Sequence, residues 1–491
     1  MTILVLDIGT SGVRAAIVGP DATILHERAH EFLPDTPFDG LVEFDAVAYA
    51  DLAISLATEV LAWEGLATHG AVEAIGISNQ RASTVVWDRA TGIPVAPAQS
   101  WQDLRTIGDC LALQADGYRV APNQAATKAA SIWNSVDPDR TRDLCVGTPD
   151  TWMVWRLTDG ASHITDASNA AISGLTTSRG NEWDDRILGL LNLPKASLPT
   201  IVDSSGHLAT ATVFGVEGGI PICGLAGDQQ ASLIGQGAVQ PGLAKITFGT
   251  GGMLDVCLGP TRPLEAARSD AGTFPIVCWQ RDGEQMWGLE AIMLSCGTNV
   301  QWLRDDLGII DSAADSERVA AECESSDGVV YVPAQLGLGT PHWDYGARGT
   351  LIGLTRGSGR SHVTRAVLEG VAHRGVDLLE AAEADAGIRI ERLRVDGGMT
   401  DNGVFLQALA DLSGRPVEVS PVRDATAVGA ALLAGLETGM WTSWEDIAAT
   451  WRPTKVVEPT PGFDRDGQRA QWHRAIERAK GWYGDLSALD F

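Results

Sequence analysis

A strand–glycine turn–strand unit occurs twice in this chain and limits its fold more than any other feature. The first copy is Leu6-Asp7-Ile8-Gly9-Thr10-Ser11-Gly12-Val13 and the second is Ile246-Thr247-Phe248-Gly249-Thr250-Gly251-Gly252-Met253. In each, an apolar strand enters a Gly-Thr turn and returns as another apolar strand. That repetition predicts two halves reusing one architecture, with a boundary near residues 236–246. Chance similarity of two glycine turns is the rival explanation. The 491 residues exceed one ordinary core, so two domains of roughly 200–250 residues are expected on size alone. Their spans are set at 1–245 and 246–491.

The elements around the first turn predict an α/β fold with antiparallel strands, not a repeated βαβ dinucleotide domain. Residues 2–7 and 12–18 form a hairpin, and 25–32 continues the sheet. Val47, Ala50, Ile54, Ala57 and Leu61 recur at helical spacing through 47–65. Val72–Ile77 is a strand delivering Ser78-Asn79-Gln80-Arg81 to its end. In the second half, Val363, Val367, Val371 and Leu378 share a face of a helix over 361–384, with Ser361 as its cap. A short strand over 417–419 and a helix over 425–436 follow. Ala427, Gly429, Ala430 and Ala431 suit that helix to close backbone approach. A Pro/Gly/Asp-rich stretch at 453–467 leads into a last amphipathic helix.

Charge narrows the function. Lys and Arg total 36 against 63 Asp and Glu, a net −27, which disfavours binding a nucleic-acid backbone. A nucleotide is not excluded, since Mg²⁺ and backbone N–H groups can meet its phosphates. The chain opens on the strand-like Thr2–Asp7 without a basic, then apolar, leader, and its apolar runs stop well short of about 18 residues. A cytoplasmic protein without membrane insertion is expected. Its seven cysteines show no CxxC pair and are expected as reduced thiols.

Asp7 ends a strand just before a phosphate-sized loop, where a carboxylate near Mg²⁺ and donors from Thr10, Ser11 and the local N–H groups would serve a phosphoryl transfer. Arg14 adds positive charge. The loop is not a P-loop, lacking Gly-Lys-Ser/Thr, and Asp7 capping its own turn is the plain alternative. Asp228, in Gly227-Asp228-Gln229-Gln230 after an apolar run, is the stronger candidate for a base that takes the proton of an attacking hydroxyl. Gln229 would bond a neighbouring hydroxyl, although a cap for the following helix is the rival role for Asp228. Arg81 and Trp101 would form a polyol pocket, with directed donors from one and an apolar wall from the other. On the nucleotide side, Thr250 and Gly251 form a second clamp. Gly397, Gly398 and Asn402 offer a close approach, and Gly297, Gln301 and Gly337 complete the wall.

These motifs together resemble the FGGY carbohydrate kinases, and among them the glycerol kinases. The likeness runs through Asp7–Arg14, Ser78–Arg81, Thr84–Arg89, Ser100–Asp103, Gly227–Gln230, Gly249–Gly251, Gln301–Arg304, Pro341–Asp344 and Asp396–Gly398. It implies a duplicated actin-like (ribonuclease H-like) ATPase fold with Mg²⁺-ATP in the cleft between two domains. It also implies phosphorylation of a sugar or polyol hydroxyl, with Asp228 as base and Asp7 and Asp228 toward the metal. Thr10, Thr250, Gly297, Gly398 and Asn402 would lie along the nucleotide, and a homodimer or homotetramer is the expected assembly. The acceptor side departs from the glycerol pattern: Ala82 stands where a glutamate follows the arginine, Asn123 where a tyrosine is usual, and Met253 where an aromatic is usual. From these three positions the expected acceptor is a polyol or ketose longer than glycerol, with glycerol itself as the alternative.

Overall fold

The computed structural model describes residues 1–489. The first half is built on a six-stranded sheet. Its strands are β1 (Thr2–Ile8), β2 (Gly12–Val18), β3 (Ile24–Glu31), β4 (Val72–Asn79), β5 (Ser205–Ala211) and β6 (Ile220–Gly227). The second half carries a seven-stranded sheet of β7 (Ala244–Phe248), β8 (Gly252–Gly259), β9 (Phe274–Arg281), β10 (Glu284–Met293), β11 (Leu393–Asp396), β12 (Val417–Val419) and β13 (Lys455–Val457).

The two sheets share one topology. In the first, the order is β5-β6-β4-β1-β2-β3, with β1–β2–β3 antiparallel, β1, β4 and β6 parallel, and β5 antiparallel at the edge. In the second, β13-β12-β11-β7-β8-β10 repeats that pattern strand for strand, and β9 extends the edge beyond β10. The repeated Gly-Thr hairpins are therefore equivalent elements of a duplicated α/β fold.

Helix α1 (Ala46–Leu61) covers the first sheet. It starts one residue before the predicted span because the Asp45 carboxylate accepts from the Val47 and Ala48 N–H groups. Its buried face is Ala46, Tyr49, Ala50, Ala53, Leu56, Ala57 and Val60, and Val47 faces outward. A small-residue face satisfied the same spacing one position away. The other helices that matter are α2 (Asp228–Gly235), α3 (Thr298–Asp305), α4 (Arg360–Ala386), α5 (Gly403–Ser413), α6 (Ala425–Thr438) and α7 (Arg465–Ala479). Gly359, not Ser361, is the N-cap of α4. Among the described residues no helix is long and apolar enough to cross a membrane.

Ala244, Ile246 and Phe248 of β7 pack with Leu254, Val371, Val376, Phe405 and Leu409 in a core beneath α4 and α5. Strand alternation then sends Lys245 and Thr247 to the opposite face, toward the cleft. The register sets Glu290, Asp255 and Lys245 side by side across β10, β8 and β7. The halves also interlock. Ala427, Ala430, Ala431 and Ala434 of α6 pack on Ile3, Val5, Ala16, Val18, Ala74 and Cys223 of the first sheet. Helices α6 and α2 cross so closely that a Cβ added at Gly429 would lie 1.8 Å from the Ala231 carbonyl oxygen. One added at Gly235 would lie 1.9 Å from the Ala425 oxygen.

Candidate active site

The parallel strands deliver the candidate residues to one edge. Asp7 on β1 lies opposite Ser78 on β4, and Ser78 lies opposite Ala226 on β6, two residues before Asp228. The Ser78 hydroxyl donates to Asp7 Oδ1 at 2.9 Å. Burial pushes the Asp7 carboxyl up to about 6, against the pull of Ser78 and Arg14, with Asp228 adding to the rise. Asp228 is the first residue of α2, and its Oδ1 accepts from the Gln229 N–H at 2.8 Å. Burial raises its pKa too, opposed by Arg81 and that N–H and assisted by Glu290. The candidate base thus also begins a helix.

Arg81 sits at the centre. Its Nε is 3.3 Å from Asp228 Oδ1. Its Nη1 and Nη2 reach the two Glu290 oxygens at 2.7 and 3.1 Å, and Nη1 also donates to Gln230 Oε1 at 3.4 Å. Arg81 belongs to the first half and Glu290 to β10 of the second, so this forked pair spans the cleft. With side-chain exposures of 12% and 4%, it is shielded from water, where removing one partner is far costlier than at a surface.

The first hairpin is braced by a relay. Tyr49 donates its hydroxyl to the Gly9 carbonyl, and Gln80 Nε2 donates to the Tyr49 oxygen at 2.7 Å. Ser83 donates to Gln80 Oε1 at 2.8 Å and accepts from the Trp101 backbone N–H at 2.9 Å. The Trp101 indole N–H then donates to Thr10 Oγ1 at 2.9 Å. Trp101 therefore ties the hairpin to the pocket. Ser11 is exposed. Arg14 is held by Asp424 at 2.5 Å and by Glu27 at 3.6 Å, with its charge directed along the sheet to the start of α6.

The second hairpin is packed by backbone contacts. Gly297 donates its N–H to the Gly249 carbonyl at 2.9 Å, and a Cβ there would lie 2.7 Å from that oxygen. Gly397, at φ 90°, would put a Cβ 2.4 Å from the Phe248 carbonyl oxygen, whereas a Cβ on Gly398 meets nothing within 4 Å. The double glycine thus has one position fixed by packing and one open to an approaching group. Thr250 and Gln301 are exposed, and Gly251 is half-buried. Gly337 takes φ 90° against Asp344 and Tyr345, giving it a role in chain packing. Asn402 has both side-chain ends engaged: Oδ1 accepts from Phe405 N–H at 3.0 Å as the α5 cap, and Nδ2 donates to Ser316 at 3.0 Å. Its side chain is a helix cap and a tie between segments, which fixes its position beside the double glycine.

Of the three positions expected to alter the acceptor pocket, Ala82 is buried at φ 62°, Asn123 is exposed and Met253 is half-buried. Among the described residues none of their side chains hydrogen-bonds to the Arg81–Asp228–Glu290 cluster. Three other members were not anticipated: Glu290, Asp255 and Lys245. Burial pushes Asp255 up, with Lys245 opposing and Glu290 adding to the rise. The signal was present as a lone charge within each of the apolar runs Ala244–Phe248, Met253–Cys257 and Trp287–Met293. A buried strand admits such a residue only where a partner awaits it.

No group of three or more His, Cys, Asp or Glu side chains suited to a metal occurs among the described residues. Asp7 and Asp228, two carboxylates raised by burial and facing one cleft, fit an ion whose other ligands are phosphate oxygens and water.

Comparison with known proteins agrees with the geometry. Residues 2–235 match the N-terminal domain of the FGGY family of carbohydrate kinases and residues 244–438 its C-terminal domain. The chain is 41% identical over 495 residues to a glycerol kinase of Aromatoleum aromaticum, covering 98% of this chain and 99% of that one. It is 40% identical over 498 residues to glycerol kinase 2 of Thermotoga maritima, covering 98% and 99%. A crystal structure of Plasmodium falciparum glycerol kinase with ADP superposes with a TM-score of 0.88 at 27% identity, covering 97% and 98%. With both family domains matched in order along the chain, and a sheet-end cluster of Asp7, Arg81 and Asp228 beside the paired hairpins, the chain belongs to the FGGY family of carbohydrate kinases and is an ATP-dependent phosphotransferase.

Proposed function

We propose that the protein transfers the γ-phosphoryl group of ATP to glycerol. The observation that carries this reading is the grouping of Arg81, Asp228 and Gln229 at the ends of β4 and β6, in a chain similar to glycerol kinases over nearly its whole length. Asp228 accepts the proton of the attacking hydroxyl as its oxygen bonds to the γ-phosphorus and the bond to the β,γ-bridging oxygen breaks, leaving ADP. Arg81 donates to acceptor oxygens and holds Asp228 in place. Backbone N–H groups of the Gly9–Gly12 and Gly249–Gly252 turns face the phosphates. Asp7 and Asp228 would hold Mg²⁺, which neutralises phosphate charge. The cleft-spanning Arg81–Glu290 pair favours a closed state in which water is kept from the phosphoryl group.

A longer acceptor is the second reading, and it rests on Ala82, Asn123 and Met253 alone. A missing carboxylate at position 82 removes one hydroxyl partner, worth about 1–3 kcal/mol. The test is product mass after incubation with Mg²⁺-ATP and glycerol, erythritol, threitol, ribitol, arabitol, xylitol or the xylulose and ribulose isomers. Glycerol giving the highest kcat/KM is the expected result; a four- or five-carbon acceptor ahead of it overturns the proposal in favour of the second reading.

A further inference from the structure

Lys245 is fully buried, yet it carries a charge in the middle of an apolar strand. Its Nζ lies 2.8 Å from Asp255 Oδ2 and donates to Thr247 Oγ1 at 3.0 Å and to Gln229 Oε1 at 2.7 Å. Three donors thus meet three acceptors. Two of those acceptors lie on the second sheet, but Gln229 lies on α2, immediately after Asp228. An ammonium has donors and no acceptor, so only the oxygen of the Gln229 amide can face it. The amide cannot turn over without setting its NH₂ against Nζ. Gln229 Nε2 is consequently directed away from Lys245 and has no hydrogen-bond partner among the described residues, while Gln229 as a whole is only half-buried.

From this geometry we infer that Lys245 is a positioning residue for phosphoryl transfer: it locks the Gln229 carboxamide so that the cleft beside Asp228 receives a pure hydrogen-bond donor. The inference rests on the kinase reading above and adds a polarity to its acceptor side. Asp228 accepts a proton from one hydroxyl, and Gln229 Nε2 donates to the oxygen of another. Adjacent acceptor hydroxyls are then bound in opposite senses, one giving and one receiving. A free amide would present either end and would match that pair for only part of the time.

Asp255 determines how this is tested. Lys245→Met alone leaves a buried carboxylate without its cation, so the informative variant is Lys245→Met with Asp255→Leu, which removes both charges and keeps the volume apolar. Steady-state kinetics with glycerol and Mg²⁺-ATP are expected to show an acceptor KM raised about tenfold, the loss of one oriented hydrogen bond, with the ATP KM within twofold. A structural role would instead move both constants. Adding Gln229→Ala to the pair is expected to cost far less in acceptor kcat/KM than the same change in the unmodified protein, because the oriented amide is already lost. Lys245→Gln with Asp255→Asn, which removes both charges but keeps one donor toward Gln229, is expected to give an intermediate acceptor KM and serves where the first double variant does not fold. An unchanged acceptor KM, or a Gln229→Ala cost equal in both backgrounds, overturns the inference. Absence of phosphoryl transfer by the unmodified protein would overturn the kinase reading instead.

Discussion

Replacing Gly429 with alanine sets two known effects against each other at the crossing of α2 and α6. In an exposed helix interior the change would stabilise by about 1 kcal/mol. Here the new Cβ would lie 1.8 Å from the Ala231 oxygen and 2.9 Å from the Gly235 nitrogen, both backbone atoms. An ordinary carbon–oxygen contact needs about 3.3 Å, so the helices must part by roughly 1.5 Å. Overpacking of this kind costs about 1–3 kcal/mol or more, and it outweighs the propensity gain. A net loss of 2 kcal/mol lowers Tm by about 4–8 °C for a unit of this size. The same helix α2 begins with Asp228, and a displacement of about 1 Å at a reacting group can reduce turnover on the order of 100-fold. Thermal denaturation and kcat with glycerol test both parts. A Tm at or above that of the unmodified protein, with kcat within twofold, would refute the claim that the crossing admits no side chain.

Three further outcomes are expected. Gly398→Ala should leave Tm unchanged, since its Cβ meets no protein atom within 4 Å, while raising the ATP KM; an unaltered ATP KM would show that no nucleotide approaches there. Asp228→Asn should reduce kcat by about 10²–10⁴-fold with the fold intact by circular dichroism, and near-normal turnover would rule out Asp228 as the base. His373, stacked on Trp472 with centroids 4.7 Å apart, is held down to about 3 by burial, with Arg469 acting in the same direction and Asp377 against it. Its folded pKa lies below the unfolded value, so the unfolded chain binds the extra proton and this stabilising contribution is lost as pH falls below about 6.5. Chemical denaturation at pH 7 and pH 5 should show His373→Phe flattening the slope by about 1.4 kcal/mol per pH unit in the titrating window. An unchanged slope would contradict a neutral buried imidazole.

Local pattern made the fold legible. Apolar strands entering glycine turns mark both hairpins because a turn's chemistry is set by adjacent residues, and β1 to β4 fall within a residue or two of expectation. The face of α1 was misjudged by one position because alanines carry little periodic signal. On the site, Asp7, Arg81 and Asp228 were readable from strand ends, where side chains clear the sheet. Glu290, Asp255 and Lys245 were not, since their meaning depends on register across β10, β8 and β7 and on a partner from the other half. Asn402 carries a second role that the sequence did not reveal: its side-chain oxygen caps the open N-terminus of α5.

The interlock of α6 with the first sheet has a consequence for synthesis. As the chain emerges, all six strands of the first sheet exist by Gly227, but the alanines that cover Ile3, Val5, Val18 and Ala74 arrive only with residues 427–434. At the usual pace of translation that delay is roughly 10–40 s. Throughout it a nascent, largely formed sheet displays an uncovered apolar face to everything else leaving ribosomes. The stretch of translation between the two halves is thus the window in which the nascent chain is most open to misassociation.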